Sequence, residues 1–276
     1  MIDPYIDPSS GILINKVRAT SQRELDQTEA NLVSVRSVLL QRNPTQGNYD
    51  SVHLKDIHRY LFQDVYPFAG EFRSVELHKA DVLTGRRRIT TFTSPSLIDF
   101  ELNQLFESVS NQHFFQGLRR RELSAKLASL FAGINRVHPF REGNGRAQRQ
   151  FVRQLCGDLG YKMHWEVISK ERLIQASITS AHGELGMMEY LMDEITDTER
   201  VQPVATLIRF LERNGYDWNE RYIASTRPGQ EYSGTFADQN GTNFFFYDDQ
   251  NRILVGNLRD LPSIPRQHQR ITFRAS

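Results

Sequence analysis

Residues 138–149 read HPFREGNGRAQR, and the interpretation of the whole chain starts from this stretch. It concentrates an imidazole, a carboxylate, two glycines, an amide and guanidinium groups within about three helical turns of chain. A segment that serves folding alone has no need of this concentration. The pattern predicts a loop that runs into a helix and holds a polyphosphate beside a proton acceptor.

The loop amides are the first part of this predicted phosphate site. Gly143-Asn144-Gly145 allows the backbone to turn with positive φ, so that successive N–H groups converge on one concavity. A helix that begins here adds unpaired N–H groups and its dipole, and both favour an anion. Arg146 and Arg149 are three residues apart and project from neighbouring positions of the first turn. Their guanidinium forks match phosphate oxygens.

Glu142 and His138 add a metal ligand and a base. A carboxylate repels a bound anion unless a divalent metal intervenes, and Mg²⁺ binds through one or two carboxylates plus substrate phosphates. The pKa of histidine ordinarily lies near neutrality, so His138 is the predicted general base for an attacking hydroxyl. Phe140 is expected to anchor the loop in the core. Each of these groups alone has a common structural explanation. A purely structural interpretation would require all of those explanations to hold at once, so the combination favours a functional site.

Composition excludes several classes of protein. The 276 residues suffice for one large domain, or a medium domain and a small one. The net charge of +1 creates no general attraction to nucleic acid or membrane. The single cysteine, Cys156, excludes an intramolecular disulfide and a cysteine-based zinc site, and is expected to be buried on a helix. Without a signal peptide or an apolar run long enough to cross a bilayer, we expect a soluble protein.

Helical spacing of apolar residues dominates from about residue 20 to residue 200. Pro203 is placed where the first turn of a connecting helix over 201–219 would tolerate it. The other predicted helices cover about 54–61, 97–109 after Ser94-Pro95, 123–134 towards His138, Gly145 to Gly160, 169–180 and 184–196.

Two regions favour strands. Residues 72–93 contain alternating and β-branched stretches around Thr84-Gly85, which predicts a hairpin inside the helical domain. From about residue 220 to 276, short aromatic and apolar runs alternate with turn residues, which predicts a small all-β barrel or sandwich. Its predicted strands lie near 232–236, 244–247, 253–255 and 271–273.

Residues 138–149 match, at every specified position, the signature His-x-Phe-x-(Asp/Glu)-Gly-Asn-Gly-Arg-x-x-Arg of the Fic family, which the chain resembles over about residues 30–200. The segment from Tyr66 to Arg73 resembles the family's approach to its active-site flap, so the hairpin at 72–93 would be that flap. The tail reads YSGTF at 232–236, NFFFY at 243–247, NRILVGN at 251–257 and DLP at 260–262. This pattern resembles the OB-like domain that follows Fic in Bartonella effector proteins. The expected fold is mainly α: a Fic domain with an N-terminal extension (1–200), a connecting helix (201–219) and an OB-like β domain (220–276).

The resemblance implies protein adenylylation (AMPylation), in which a Ser, Thr or Tyr hydroxyl of a target protein attacks the α-phosphorus of ATP. It implies that His138 is the general base and that Glu142 holds Mg²⁺ between the α- and β-phosphates. The implied anion hole consists of the amides of Gly143, Asn144 and Gly145, with the Asn144 side chain on the α-phosphate. Other implied nucleotide-binding residues are Arg146 and Arg149 on the outer phosphates, and Lys79 and Ala80 on the flap.

The resemblance also suggests partners. The flap would align the target segment by strand addition, with Lys79, Arg86, Arg87 and Arg88 as docking residues, and Rho-family GTPases are a target class by resemblance only. The three arginines are equally compatible with a solvated hairpin tip. Many Fic proteins carry an inhibitory Ser/Thr-x-x-x-Glu-Gly/Asn helix whose Glu engages the second motif arginine. This chain has no such sequence, so a small antitoxin-like protein is expected to supply the Glu in trans.

Related effectors are secreted into host cells by means of a further C-terminal domain. That domain is missing here, so we expect a fragment of a longer protein that is made in the bacterial cytoplasm and translocated into the host cytosol. Two alternatives remain open. Some Fic relatives transfer other phosphate-containing groups, and a non-enzymatic scaffold could use the OB-like domain to bind nucleic acid or protein. The contiguous aromatics 244–247 and the nearby Asp248, Asp249 and Asp260 argue against nucleic acid.

Overall fold

A computed structural model, which describes residues 3–83 and 86–276, divides into two compact units. The first unit comprises the chain up to Arg119 together with Lys126–Tyr161, and the second comprises Arg120–Ala125 together with Lys162–Ser276. Helices and a hairpin form the first unit, and helices and a five-stranded sheet form the second. The predicted class, mainly α with a β-hairpin and a small β region near the C-terminus, is confirmed. The predicted domain limits at 200 and 220 remain predictions.

The helices of the first unit follow from caps and apolar spacing. Asp50 caps the second helix by accepting the backbone N–H of His53 at 2.8 Å. Leu54, Ile57 and Leu61 recur on one face of that helix and are fully buried, and each burial stabilises the fold by about 1.5–3 kcal/mol. The helices are α1 (Gln22–Arg42), α2 (Ser51–Phe62), α3 (Ile98–Asn111), α4 (Arg120–Val137) and α5 (Asn144–Asp158). The start of α4, Arg120–Ala125, belongs to the second unit.

Helix α5, which begins inside the motif, packs against α2. The rings of His53 and Phe151 lie 5.7 Å apart, and Nε2 of His53 is 3.1 Å from Oε1 of Gln154. Cys156 is fully buried on the same helix, as predicted. Gly160 follows the helix with φ +84°, the left-handed conformation expected of a residue that ends a helix. This packing anchors the helix that carries both motif arginines.

The predicted hairpin is present, with strands shorter than the predicted range 72–93. Strand β1 (His78–Leu83) pairs antiparallel with β2 (Arg86–Thr91), with His78 opposite Thr91 and Ala80 opposite Ile89. The predicted turn at Thr84-Gly85 lies outside the described residues. We call residues 74–77 and 92–94, which flank the two strands, the flap base.

In the second unit, α6 (Lys170–Ala181) and α7 (Gly186–Ile195) confirm two predicted helices, whereas α8 (Thr198–Arg213) corrects the third. Asp197 caps α8 by accepting the backbone N–H of Glu199 at 3.1 Å. The helix therefore begins before Pro203, which lies in its interior, and it does not extend over 201–219. The prediction failed because residues 197–200 are polar, and the cap rather than apolar spacing defines this helix start.

The β region of the second unit is one sheet in the spatial order β3-β6-β5-β4-β7, in which β3 pairs parallel with β6 and the other pairs are antiparallel. Four strands match the predicted ones; the short β3 was not predicted. The core contains Phe236, Phe244, Phe246 and Phe273. The OB-like topology remains a prediction. The strands are β3 (Ile223–Ser225), β4 (Glu231–Asn240), β5 (Asn243–Asp248), β6 (Ile253–Asn257) and β7 (Arg270–Arg274).

None of the helices in the described part of the chain combines the length and the apolarity that crossing a bilayer requires.

Candidate active site

The motif loop, residues 138–143, connects α4 to α5, and His138 is its first residue. The backbone N–H of His138 donates to the carbonyl of Ile134 at 2.9 Å, which continues the last turn of α4. The backbone of His138 then turns into the left-handed region, with φ +50°. This conformation costs an L-residue about 1–2 kcal/mol, and such residues cluster at functional sites.

Apolar packing and two cations keep the His138 imidazole neutral. The ring of Phe92 stacks on it with centroids 3.9 Å apart. The pKa of His138 is lowered to about 4, chiefly by burial and also by the charges of Lys79 and Arg73, while a backbone hydrogen bond with Asn135 opposes the shift. At pH 7 the imidazole is therefore unprotonated, which is the form that accepts a proton.

Asn144 and His58 hold the motif loop in shape. The Asn144 amide accepts the backbone N–H of Phe140 at 2.8 Å and donates to the carbonyl of Phe140 at 2.7 Å. The ring of His58 stacks on Phe140 at 3.8 Å. The Asn144 side chain thus closes the loop in this structure, and its direct contact with a phosphate remains a prediction.

The hydrogen bonds of His58 also define its tautomer. Its Nδ1 accepts the backbone N–H of Gly70 at 2.8 Å, so Nε2 carries the proton and donates to the carbonyl of Glu142 at 2.9 Å. The pKa of His58 is lowered to about 3, chiefly by burial; the hydrogen bond to Glu142 opposes the shift, and the charges of Arg146 and Arg59 contribute to it. His58 is therefore a neutral strut beneath the loop.

Only one glycine of the motif needs its conformational freedom. Gly143 has φ +81°, and a Cβ on it would lie 2.3 Å from Cζ of Phe62. Gly145 lies within α5 and does not have positive φ, which corrects the expectation that both glycines turn the backbone. The N–H of Gly143 donates to Oε1 of its neighbour Glu142 at 2.8 Å. Among the described residues, the N–H groups of Asn144 and Gly145 have no acceptor, as expected of an anion site at a helix start.

The two motif arginines differ in their partners. Arg146 forms an ion pair with Glu29 of α1 and a second, at 3.2 Å, with Glu142, and its guanidinium lies 4.7 Å from the Phe62 ring centroid. Arg149 has neither an ion pair nor a hydrogen bond within residues 3–83 and 86–276. Burial lowers the pKa of Arg149 to about 10, with smaller contributions from the charges of Arg146 and Arg153. The site therefore contains a desolvated cation without a counter-anion.

Glu142 is compatible with a role as the single carboxylate ligand of Mg²⁺. Its side chain is 43% exposed, and only Oε1 is engaged, by Gly143 and Arg146. Within the described chain, Oε2 contacts no donor. The described residues hold no cluster of three or more His, Cys, Asp or Glu side chains suited to a metal. A metal ion here would therefore take most of its ligands from substrate phosphates and water, as Mg²⁺ commonly does.

The flap residues lie near the site to different degrees. Lys79 and Ala80 are exposed on β1, and the charge of Lys79 reaches His138. Arg86, Arg87 and Arg88 form the first half of β2; their side chains lie outside the described part of the structure. Lys79 thus acts electrostatically on the predicted base, whereas its role in nucleotide binding and the docking role of the arginines remain predictions.

Three residues that sequence reasoning missed complete the site: Glu29, His58 and Arg73. Glu29 also accepts a hydrogen bond from the hydroxyl of Tyr66. Its sequence signal was a carboxylate on the apolar face of α1, four residues from both Leu25 and Val33, which are buried. Arg73 lay inside the segment 66–73 that resembles the Fic family, but the sequence suggested no role for it.

The comparisons place the chain in a family. The sequence model of the Fic/DOC family matches residues 48–156. The probable protein adenylyltransferase Fic of Escherichia coli K12 is 31% identical over 70% of this chain and 92% of its own length. The chain belongs to the Fic family, as its sequence predicted.

Other relatives extend over the second unit. A protein adenylyltransferase of Bartonella henselae is 27% identical over 98% of this chain, and the chain spans about half of that relative, 52% of its length. The solved structure of the type IV secretion system effector protein BepA superimposes with a TM-score of 0.85 and 26% identity, over 98% of this chain and 95% of that one. A Fic domain of a Bartonella quintana effector, solved with bound ADP, has a TM-score of 0.63 and 31% identity over 70% of this chain and 94% of its own.

Proposed function

We propose that this protein is an adenylyltransferase that moves AMP from ATP to a Ser, Thr or Tyr hydroxyl of a target protein. The observation that carries the proposal is Arg149, a desolvated guanidinium without an anionic partner in the described chain, beside two helix-start amides that also lack acceptors. These groups are those expected to bind phosphates. The names of the E. coli and B. henselae relatives support AMP transfer, and the bound ADP of the B. quintana relative supports nucleotide binding.

His138 is the proposed general base. The target hydroxyl oxygen forms a bond to the α-phosphorus, the bond from that phosphorus to the bridging oxygen breaks, and pyrophosphate leaves while His138 takes the hydroxyl proton. The low pKa of His138 keeps it unprotonated before the reaction. The amides of Asn144 and Gly145 are proposed to stabilise the oxygens of the transferring phosphoryl group, and Arg149 to hold the outer phosphates.

Glu142 is the proposed Mg²⁺ ligand, because its Oε2 is open and its side chain is partly exposed. When bound, the ion neutralises phosphate charge. Release of Glu142 towards the metal would also free the N–H of Gly143 and one side of Arg146 for the nucleotide.

Partners follow as parts of the same proposal. Strand β1, which is exposed at residues 78–80, is the proposed docking edge for an extended target segment, with Lys79 near the base and Arg86–Arg88 as docking residues for a target such as a Rho-family GTPase. Arg149 is the proposed binding residue for a Glu supplied in trans by an antitoxin-like protein. It is available for this contact because Glu29 pairs with Arg146 rather than with Arg149. The likeness to effector proteins supports delivery into a host cell.

The test offers α-labelled ATP, and in parallel α-labelled UTP, to host-cell lysate with the wild-type protein. His138→Ala and the matched control His182→Ala, at an exposed histidine of the second unit, are run beside it. We expect protein labelling from ATP that His138→Ala abolishes and His182→Ala retains, with the labelled residue identified by mass spectrometry. Labelling from UTP alone would replace AMP with UMP, and labelling that survives His138→Ala would remove the proposal.

A further inference from the structure

Arg73 is a buried cation that the mechanism above does not use. It follows α2 on the way to the flap, is 2% exposed, and has no ion pair with any carboxylate of residues 3–83 and 86–276. Burial lowers its pKa. A desolvated cation without a carboxylate is unfavourable unless its donors are well satisfied, so the partners that compensate it show what it does.

Those partners are backbone carbonyls from three separate chain segments. The guanidinium donates to the carbonyls of Val75, at 2.7 Å, and Thr93, which both belong to the flap base. It also donates to the carbonyls of Val137, at 3.2 Å, and His138, at 2.9 Å. One planar fork therefore ties both ends of the flap to the backbone of the catalytic base.

Further contacts strengthen the same connection. The backbone N–H of Arg73 donates to the carbonyl of Pro139 at 2.8 Å, and that of Thr93 donates to the carbonyl of Arg136 at 3.4 Å. Phe92, the residue before Thr93, is the ring that stacks on His138. Displacement of the flap base would therefore move the surface that orients the imidazole.

We propose that Arg73 is a positioning residue that holds the flap base and His138 as one rigid piece, so that a target segment bound on the flap meets the base in register. This inference rests on the proposed function. Among the described residues, Arg73 forms no hydrogen bond or ion pair with the predicted phosphate site from Glu142 to Arg149, so it acts through His138 and the flap rather than through the nucleotide. This role requires the planar guanidinium of arginine. A lysine has three donors on one nitrogen and cannot reach all four carbonyls.

The charge of Arg73 is the smallest of the contributions to the low pKa of His138. The groups that depress the pKa of His138 are, in order, burial, the charge of Lys79 on β1 and the charge of Arg73, with the Asn135 backbone acting in the opposite direction. A variant that keeps the charge and loses the fork therefore separates the two contributions.

The test compares Arg73→Lys and Arg73→Met in the full chain. At saturating ATP we expect both to lower the rate of AMP incorporation by about 100-fold, the scale expected for misplacement by about 1 Å. Affinity for AMPPNP, measured by calorimetry, should change by less than about threefold, because binding and turnover separate when only positioning is lost. Wild-type turnover in Arg73→Lys, or an equal loss of nucleotide affinity in both variants, would overturn the proposal.

A stability control excludes mere unfolding. Leu102→Ala removes a fully buried side chain of α3 and should cost about 2–5 kcal/mol while turnover of the folded fraction stays unchanged. Amide hydrogen exchange gives a readout that does not need activity. In both Arg73 variants, peptides over 86–95 should exchange at least about tenfold faster while peptides of α5 keep their protection. If the wild-type protein transfers no nucleotide, the proposed function fails. Unchanged amide hydrogen exchange over 86–95 in both Arg73 variants would instead refute the proposed role of Arg73 in holding the flap base to His138.

Discussion

The two glycines of the motif should respond oppositely to replacement by alanine. Gly143 has φ +81° and faces the ring of Phe62, whereas Gly145 lies in the first turn of α5 and is exposed. The sequence alone presents them as equivalent members of Gly-Asn-Gly. The structure assigns the need for glycine to the first of them only.

The magnitude for Gly143→Ala has two sources. The left-handed backbone costs an L-residue about 1–2 kcal/mol. The new Cβ would also lie 2.3 and 2.4 Å from Cζ and Cε2 of Phe62, and relief of such overpacking costs about 1–3 kcal/mol. The expected loss in the free energy of unfolding is about 2–5 kcal/mol, or roughly 4–20 °C in Tm for a chain of this size.

Gly145→Ala is the matched control. The nearest atom to its added Cβ is the flexible Nη1 of Arg149, at 3.4 Å. Alanine in a helix is favoured over glycine by about 0.5–1 kcal/mol. We therefore expect a Tm equal to or slightly above that of the wild-type protein.

The assay is urea and thermal unfolding of both variants, with ADP binding by calorimetry. Gly143→Ala should weaken ADP binding by at least about tenfold, because the loop amides move. Adding Phe62→Leu should recover the steric part, a coupling of about 1–3 kcal/mol in a double-mutant cycle, but not the backbone part. Equal destabilisation by the two alanines, or a Gly143→Ala protein within about 1 kcal/mol of wild type, would refute this reasoning.

Three further results are expected. Acidification from pH 7 to 4.5 should lower the free energy of unfolding by roughly 2–3 kcal/mol through His58. The folded-state pKa of His58, about 3, lies below the ordinary 6.5, so the unfolded chain binds a proton that the folded chain does not. Urea unfolding at both pH values should show a smaller loss of stability in His58→Gln than in the wild-type protein. NMR titration of the nucleotide-free protein should give His138 a titration midpoint near 4. That midpoint should be higher in Lys79→Met, because a nearby positive charge is removed. A wild-type midpoint near 6.5 would contradict the described burial of the imidazole. Glu29→Gln should cost about 1–3 kcal/mol in urea unfolding, because the guanidinium of Arg146 loses a charged partner, and the exposed Asp26→Asn on the same helix should cost less than about 0.5 kcal/mol.

Sequence patterns located most elements because those elements depend on neighbours along the chain. Apolar residues every three or four positions predicted α2 to α7. Alternating and β-branched stretches predicted the hairpin, and short aromatic and apolar runs between turn residues predicted strands β4 to β7. The start of α8 was predicted wrongly because a polar cap at Asp197 defines it. Strand β3 was missed because three residues carry too little pattern, and its partner β6 lies some thirty positions later in the chain.

The sequence by itself determined the chemistry of residues 138–149: a base, a tight turn, a helix start and the guanidinium groups of Arg146 and Arg149, all set by adjacent residues. Only the tertiary structure decided which groups are engaged. Glu29 meets Arg146 across 117 positions, and Arg149 has no anionic partner among the residues that the structure describes. Arg73 reaches Val137 and His138 across 64 and 65 positions. Such partners depend on how distant segments pack, because a buried polar group must pair with whichever donors and acceptors the fold brings next to it. The local spacing of residues in the sequence does not encode which partners these are.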